Sequence, residues 1–337
     1  MTALPSSRTT HTSKLPSSNP VRWLRHQTQR ISRTLTRLRF VKPLIEPIAV
    51  DDILYELALA RSLGKTQDGK EILLWSTSRE TPLLREIGRL RELSFRAVGE
   101  GTGQPLDTDT YDLYYQHLIL WDAQTQEIVG AYRFGLGSRI MASRDETAFY
   151  SSTLFHFSSA MTGQLSQALE LGRSFVQPKY WGSRSLHYLW QGIGAFLRVH
   201  PEVRYLFGPV SVSADLPERA RALLVAFYTA HFGWQGAPLA EARNPYHIPR
   251  KYQRSIEFGG TKLATDYATE FRQLKAELKT MGVAIPTLYK QYSELCEPGG
   301  LWFCAYNVDE DFGGCLDGLL WLDITQLKAT KYQRYMR

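Results

Sequence analysis

Glu170 and Arg173 sit in the hexapeptide Ala168-Leu-Glu-Leu-Gly-Arg173, whose apolar alternation predicts a β-strand. In a regular strand Leu169, Leu171 and Arg173 share one face, with Ala168, Glu170 and Gly172 on the other. A carboxylate and a guanidinium in a core strand are costly unless they are paired or put to chemical use. The strand continues through Val176 into a loop that contains Gly182. An amphipathic helix follows, carrying Leu186, Leu189, Trp190, Ile193 and Leu197. Strand, glycine-containing loop and helix N-terminus form a frequent cradle for a phosphate-bearing ligand. This stretch points to an enzyme.

The elements that must position these residues follow from periodicity. Asp51–Leu63 and Pro82–Val98 read as helices, and Gly99–Pro105 breaks the second. His117–Trp121 and Ile128–Phe134 read as strands joined by a polar turn. After the Ala168–Val176 strand come a helix over Ser185–His200, a strand over Tyr205–Val212 and a helix over Pro217–Phe232. That order predicts an α/β (α+β) fold with a mixed sheet. From Lys262 the chain reads as more helical, with a strand-like piece at Leu301–Leu322. Three parts are expected: an arm over 1–50, a main domain over 51–260, and a C-terminal helical extension or cap over 261–337.

The net charge of +7 belongs to the arm. Residues 1–50 hold nine Lys/Arg against one acid, Glu46, while the remainder holds 31 against 32. Met1–Pro20 is Ser/Thr/Pro-rich and is expected to be disordered. Within 21–41, Leu24, Ile31, Leu35 and Leu38 line one helical face among six arginines, the profile of a helix held at an anionic membrane surface. A transit peptide, or a helix docking on its own domain, would share that profile. A nucleic-acid partner is not expected, because the body is electroneutral. Three cysteines with gaps of 8 and 11 suit neither a disulfide framework nor a zinc site, which suggests a reducing cytoplasm. No apolar run is long enough to span a bilayer.

Taken alone, other charged residues have ordinary uses. Asp109 and Asp112 follow a Gly/Pro loop, where turn and cap chemistry favours Asp. Arg91 and Phe95 lie one helical turn apart, as a surface arginine and a core phenylalanine can. Arg133 lies in an otherwise apolar strand and needs a partner, Glu170 or an Asp.

Five segments together carry a family likeness: LREIGRLRELSFRAVGEGTG (84–103), DTYD (109–112), VGAYRFG (129–135), ELGRSFVQPKYWG (170–182) and YLFGPVSVS (205–213). Their order resembles the lipid-forming branch of the GNAT superfamily. These are N-acyltransferases making lyso-ornithine lipid and related acyl-amino acids, sometimes labelled hemolysin-like and distantly similar to acyl-homoserine-lactone synthases. The likeness covers about residues 50–260. IPTLYKQY (285–292) and CLDGLLWLD (315–323) match one subgroup.

The resemblance implies a mostly antiparallel central sheet flanked by helices, with no permanent cofactor and no metal. It implies a long-chain acyl thioester donor, with or without a 3-hydroxyl, carried as acyl-phosphopantetheine on acyl carrier protein or as acyl-CoA. The acceptor would be an amino acid such as ornithine, attacking directly without an acyl-enzyme. Carried over residue by residue, the matching positions are Glu170 and Arg173 for catalysis and Arg91, Phe95, Asp109, Asp112 and Arg133 for substrate binding; Gly172, between the first two, joins the catalytic candidates through its backbone. Val176, Gly182, Ser183 and Arg184 would bind the donor pantetheine. Ser183-Arg184-Ser185 departs from the usual run of small residues in the phosphate loop, which favours a carrier protein over coenzyme A. Lys179, Arg184, Arg198 and Arg204 would form a basic rim for that acidic carrier.

Aminolysis needs a neutral amine, an aligned carbonyl and a donor to the oxyanion. A β-bulge at Gly172 would bring Glu170 and Arg173 to one face and turn a backbone N–H toward the thioester oxygen. Glu170 would then be the general base, with Arg173 holding its charge or the acceptor carboxylate. A buried Glu–Arg pair without catalytic work is the plainer alternative for this segment. For the whole chain the alternative is a non-catalytic, membrane-associated binding protein on a degenerate GNAT scaffold.

Two further motifs mislead. His117 and Asp122 match an H-x4-D spacing, but positions five apart in a strand face opposite ways. Gly99–Gly103 ends a helix and lacks the Lys-Ser/Thr of a phosphate loop, so a flexible loop or lid is expected there.

Overall fold

The computed structural model describes residues 41–259 and 267–336. The disordered arm and the membrane-binding helix expected over 21–41 therefore fall outside the described residues, save Val41.

Among the described residues there are ten strands: β1 (Arg61–Lys65), β2 (Glu71–Ser76), β3 (Gln116–Asp122), β4 (Glu127–Leu136), β5 (Phe155–Phe157), β6 (Ala168–Val176), β7 (Tyr205–Val212), β8 (Ala240–Ala242), β9 (Leu301–Asp309) and β10 (Cys315–Asp323). Eight of them form one sheet in the order β1-β2-β3-β4-β6-β7-β10-β9, while β5 and β8 pair separately. Every pairing in the large sheet is antiparallel except β6 with β7. The mixed, mostly antiparallel sheet flanked by helices is the expected one.

The main helices are α1 (Val50–Leu59), α2 (Pro82–Arg96), α3 (Gly137–Ser143), α4 (Ser185–Val199), α5 (Glu218–Phe232), α6 (Tyr267–Thr280), α7 (Thr287–Ser293) and α8 (Ala329–Tyr335). Thr81 caps α2 by accepting from the Leu84 amide, and Pro82 opens it at the position where proline costs nothing. One sheet face packs against α4, α5 and the C-terminal helices around Leu118, Phe134, Leu169, Phe196 and Leu223. On the other face α1 and α2 cover Leu73, Trp75, Ile119 and Phe175.

Two segments differ from the sequence expectation. The helix expected to reach Leu63 stops at Leu59, because Ala60 is extended, and β1 and β2 follow as a hairpin. β2 was not anticipated because both faces are covered: Ile72 and Leu74 enter one core and Leu73 and Trp75 the other, so no alternation marks it. The helical extension expected over 261–337 contains two nine-residue strands of the main sheet. β10 pairs with β7 from Leu316–Val212 to Asp323–Tyr205, so residue 260 does not bound a separate part. β10 satisfies the free edge of β7 and is itself buried throughout, which explains its nearly unbroken apolar sequence.

The parallel pairing of β6 with β7 spans only Ala168–Glu170 against Tyr205–Phe207. Just beyond, Gly208 lies against the β6 backbone with φ +147°. A Cβ there would stand 2.2 Å from the Leu171 carbonyl oxygen. From this contact onward the two strands part.

Candidate active site

The parting of β6 and β7 opens a cavity of about 790 Å³. Its walls are largely apolar, with Leu171, Leu186, Leu189, Val210, Ile285 and Leu288 among them. Polar groups gather where Tyr150, Gly172, Arg173, Glu100, Asp309 and Asp317 meet. Residues 284–288, on and before α7, supply part of its lining from the C-terminal segment. A second depression, of about 760 Å³ around Tyr111, Tyr114 and Arg144, shares no lining residue with this wedge and has a mixed polar wall.

The sheet register explains why Arg173 faces the wedge. Ala131 and Arg133 of β4 stand opposite Phe175 and Gly172 of β6, so three steps on β6 match two on β4. The expected bulge exists, one residue later than Gly172: Arg173 itself takes the left-handed conformation, φ +47°. Such strain in a non-glycine residue costs on the order of 1–3 kcal/mol and persists only where the surroundings impose it. Here Arg173 Nε lies 3.3 Å from Asp107 Oδ2, and Nη2 lies 3.6 Å from Asp109 Oδ2. Nη1 donates to the Tyr150 hydroxyl at 3.3 Å. The guanidinium also stacks over the Tyr150 ring at 4.6 Å and faces Phe312 at 5.0 Å.

The bulge puts Arg173 and Glu170 on one face, but they do not pair. The carboxylate of Glu170 is occupied by four donors: the Ser151 amide at 2.6 Å, the Ser151 hydroxyl, the Tyr115 hydroxyl, and the Tyr150 amide at 3.1 Å. Burial raises its pKa despite those donors. Glu170 does not line the wedge; it reaches it only through Tyr150, whose backbone it anchors. The phenol of Tyr150 faces the cavity, and burial pushes its pKa up, so it stays an O–H donor at neutral pH.

Behind this wall lies a closed charge network. Arg91 binds Asp112 through two hydrogen bonds, 2.8 and 2.9 Å, and also contacts Asp107. Arg133 donates to Asp109 and, at 3.1 Å, to Asp112. Burial pushes the Asp112 carboxyl upward, but Arg91 and Arg133 hold it well below the usual range. Arg133 found the aspartates as its partners, one of the two kinds expected. Asp109 and Asp112 also make the expected cap: each side chain accepts from the other end of a short helical turn at Thr110–Leu113. Arg91, 1% exposed, and Asp112, 0% exposed, lie behind the cavity wall and do not line the wedge. Arg91 holds Asp112 in a fork of two hydrogen bonds, and Asp112 in turn accepts from Arg133 and from the Asp109 amide. Asp109 is partly open, and its Oδ2 accepts no hydrogen bond.

Phe95 lines the wedge and meets Phe312 edge to face at 5.1 Å. Val176, Gly182 and Ser183 line its mouth. Arg184 does not: it is bonded to Gln67 and stacked on Tyr188. Arg198 and Arg204 flank the other ends of α4 and β7, so the basic rim does not assemble as expected. Arg204 is paired with Asp323 and Lys179 with Glu127. The Gly99–Gly103 loop is pinned rather than free, with Glu92 accepting from the Thr102 and Gly103 amides. His117 is buried in the core, where burial lowers its pKa to about 4 and keeps the ring neutral.

Tyr150, Glu100, Asp309 and Asp317 escaped the sequence reading. Only Asp317 carried a signal, an acid inside the apolar run Cys315-Leu-Asp-Gly-Leu-Leu-Trp-Leu. Arg133 carries the same signal, a charge inside the apolar strand β4.

The parted parallel strands, the wedge between them and the bulged arginine at its polar end define a GNAT-type acyltransferase. Residues 90–191 match the model of the acetyltransferase (GNAT) domain. A glycine N(alpha)-acyltransferase of Bacteroides thetaiotaomicron is 30% identical over 311 residues, covering 88% of this chain and 90% of that protein. An L-ornithine N(alpha)-acyltransferase of Brucella abortus is 31% identical over 156 residues, 42% of this chain and 54% of that protein. Among solved structures, the GphF GNAT-like decarboxylase in complex with isobutyryl-CoA is 16% identical, with a TM-score of 0.30 over 62% of this chain and 77% of that one. The chain belongs to the family of GNAT-type N(alpha)-acyltransferases, and it is an enzyme rather than a binding module on a degenerate scaffold.

Proposed function

We propose that this enzyme transfers a long acyl chain from a phosphopantetheine thioester to the α-amine of glycine, releasing a single-chain acyl-amino acid. The observation that carries the reading is the apolar wedge between β6 and β7, which ends at Arg173 and Tyr150. Glycine is preferred to ornithine as acceptor because the likeness to the glycine enzyme runs along nearly the whole of both chains.

In this mechanism the acyl chain lies along the apolar walls and the pantetheine arm leaves past Val176, Gly182 and Ser183. The guanidinium of Arg173 takes the acceptor carboxylate, a charge-assisted contact that aligns the amine. The amine nitrogen forms a bond to the thioester carbon, and the carbon–sulfur bond then breaks to release the thiol. The Tyr150 hydroxyl stabilises the intervening oxyanion. Glu170, Arg91, Asp112 and Arg133 act by holding Tyr150, Arg173 and Asp109 in place. The carrier is an acyl carrier protein. No helix among the described residues is long and apolar enough to cross a membrane. Residues 21–41 would hold the enzyme at the inner face of an anionic membrane, where an amphiphilic product can partition.

Purified enzyme supplied with palmitoyl-acyl carrier protein or palmitoyl-CoA, and with glycine or ornithine, tests the reading by mass spectrometry. N-palmitoylglycine, formed faster from the carrier protein, is the expected product. Acylated ornithine alone would replace the acceptor, and no amide from any pairing would overturn the proposal.

A further inference from the structure

A free amine must be generated from the acceptor's ammonium group, and Glu170, the carboxylate first expected to do it, is enclosed by four donors. The wedge contains another carboxylate in a different condition. Asp317 is 4% exposed and lines the cavity. Among the described residues its one hydrogen-bond partner is the Cys315 thiol, at 3.8 Å, and no N–H or O–H group donates to it. A buried carboxylate without such donors is costly to keep.

Its position follows from the register. Asp317 pairs with Ser211 of β7, whose hydroxyl donates to Glu100 at 2.6 Å. On β9, Asp309 pairs with Cys315, which lies two residues from Asp317 and so on its side of the sheet. Glu100, Asp309 and Asp317 thus come together, from the loop after α2, from β9 and from β10. Arg173 and Tyr150 line the same cavity.

Resting on the acyltransferase reading, we propose that Asp317 is the proton acceptor for the acceptor's α-ammonium group, with Asp309 and Glu100 completing a cation-binding end of the wedge. The ammonium binds among the three carboxylates while Arg173 takes its carboxylate. One proton passes from nitrogen to Asp317, and the freed lone pair forms the bond to the thioester carbon. As the carbon–sulfur bond breaks, the second proton leaving nitrogen goes to the sulfur, and Asp317 later returns its proton to solvent.

The groups facing Asp317 suit this role. Burial first, then the charges of Asp309 and Glu100, raise its pKa well above the usual range, while Arg173 opposes them. Tyr150 and Tyr289 feel its charge and are themselves held neutral by burial, and the Cys315 thiol is likewise raised by burial. A carboxylate of raised proton affinity is the better match to an amine's proton.

Kinetics of N-acylglycine formation by the full-length enzyme, from about pH 6.5 to about pH 9.5, test the assignment. Asp317→Asn is expected to lower kcat/KM about 100-fold near pH 7, a usual size for a lost general base. The deficit should shrink steadily with rising pH as glycine itself supplies free amine. Binding of an unreactive acyl-pantetheine thioether should stay within about threefold of wild type, a change below ~0.7 kcal/mol. Wild-type rates at pH 7, or an equal deficit at every pH, would overturn the assignment. If Asp317→Asn does not fold, Asp309→Asn and Glu100→Gln decide. Removing either negative charge should lower the proton affinity of Asp317 and move the acidic limb of the profile downward, and an unmoved limb would overturn the proposal. Failure of the parent reading appears separately, as a wild-type enzyme that forms no acyl-amino acid.

Discussion

The guanidinium of Arg173 lies over the ring of Tyr150, 4.6 Å from its centroid, and donates to the hydroxyl of the same residue at 3.3 Å. One cation thereby fixes both the plane of the ring and the direction of its phenol. The hydroxyl accepts from Arg173 and keeps its own proton to donate. Tyr150→Phe should therefore keep the stacking and lose the donor. Removal of one oxyanion donor costs about 10²–10³ in kcat. Steady-state kinetics should show that loss in kcat, with donor KM within a few-fold of wild type.

Asp112 should bear on stability through the two arginines that converge on it. Breaking a buried ion pair from one side costs about 3–5 kcal/mol, so Asp112→Asn should lower the unfolding free energy by that order. The sign with pH follows from the shift. Arg91 and Arg133, working against burial, lower the folded pKa below the unfolded value of about 3.9. The stabilisation is fully present above that unfolded value and is lost as pH falls toward the folded one. Denaturant titrations between about pH 6 and pH 3 should show that loss in the wild type and a flatter curve in Asp112→Asn.

Glu170→Gln should damage architecture first. An amide can accept at one oxygen only, so part of the set formed by Ser151, Tyr115 and Tyr150 loses its acceptor. Each buried group left unsatisfied costs about 1–3 kcal/mol. Reduced stability together with reduced kcat is expected. Undiminished stability with the same kinetic loss would assign proton transfer to Glu170 itself.

Two glycines on neighbouring strands should respond in opposite ways. Gly172 lines the wedge, and a Cβ there meets nothing within 4 Å. Gly172→Val should fold and lower kcat/KM for donors of every chain length alike, read across a chain-length series, because the added side chain stands at the polar end where the thioester reacts. Gly208 has φ +147° and no room for a Cβ beside Leu171. Gly208→Ala should destabilise the fold and disturb the place where β6 and β7 separate, visible as a lower melting temperature.

Asp317 should also mark the stability curve. A folded carboxyl raised above its unfolded value favours the folded state at low pH and costs stability as pH rises through the unfolded value toward the folded one. Asp317→Asn should be more stable than the wild type at about pH 8, with the difference closing toward about pH 4. Equal curves would show that the site relieves its charge by another route.

Local pattern was enough for much of this protein. β6 over Ala168–Val176 and β7 over Tyr205–Val212 were readable from alternation and neighbouring turns, and α4 and α5 from helical spacing, because each buries one face against a layer. The motif order also identified the family and drew attention to Arg173, Gly172 and Phe95. It could not say which charges face the cavity, because two arginines and an aspartate of one motif set look alike in sequence whether saturated or open. Burial sorted them: Arg91 and Arg133 converge on Asp112 behind the wall, while the left-handed turn at Arg173 sends that side chain to the cavity. β2 and β10 gave weak strand signals because both of their faces are covered, which removes the period of two. The polar end of the wedge depended wholly on tertiary structure. Glu100, Tyr150, Asp309 and Asp317 come from four separate stretches, and only the pairings of β10 with β7 and of β9 with β10 bring the last two to the cavity that Arg173 lines.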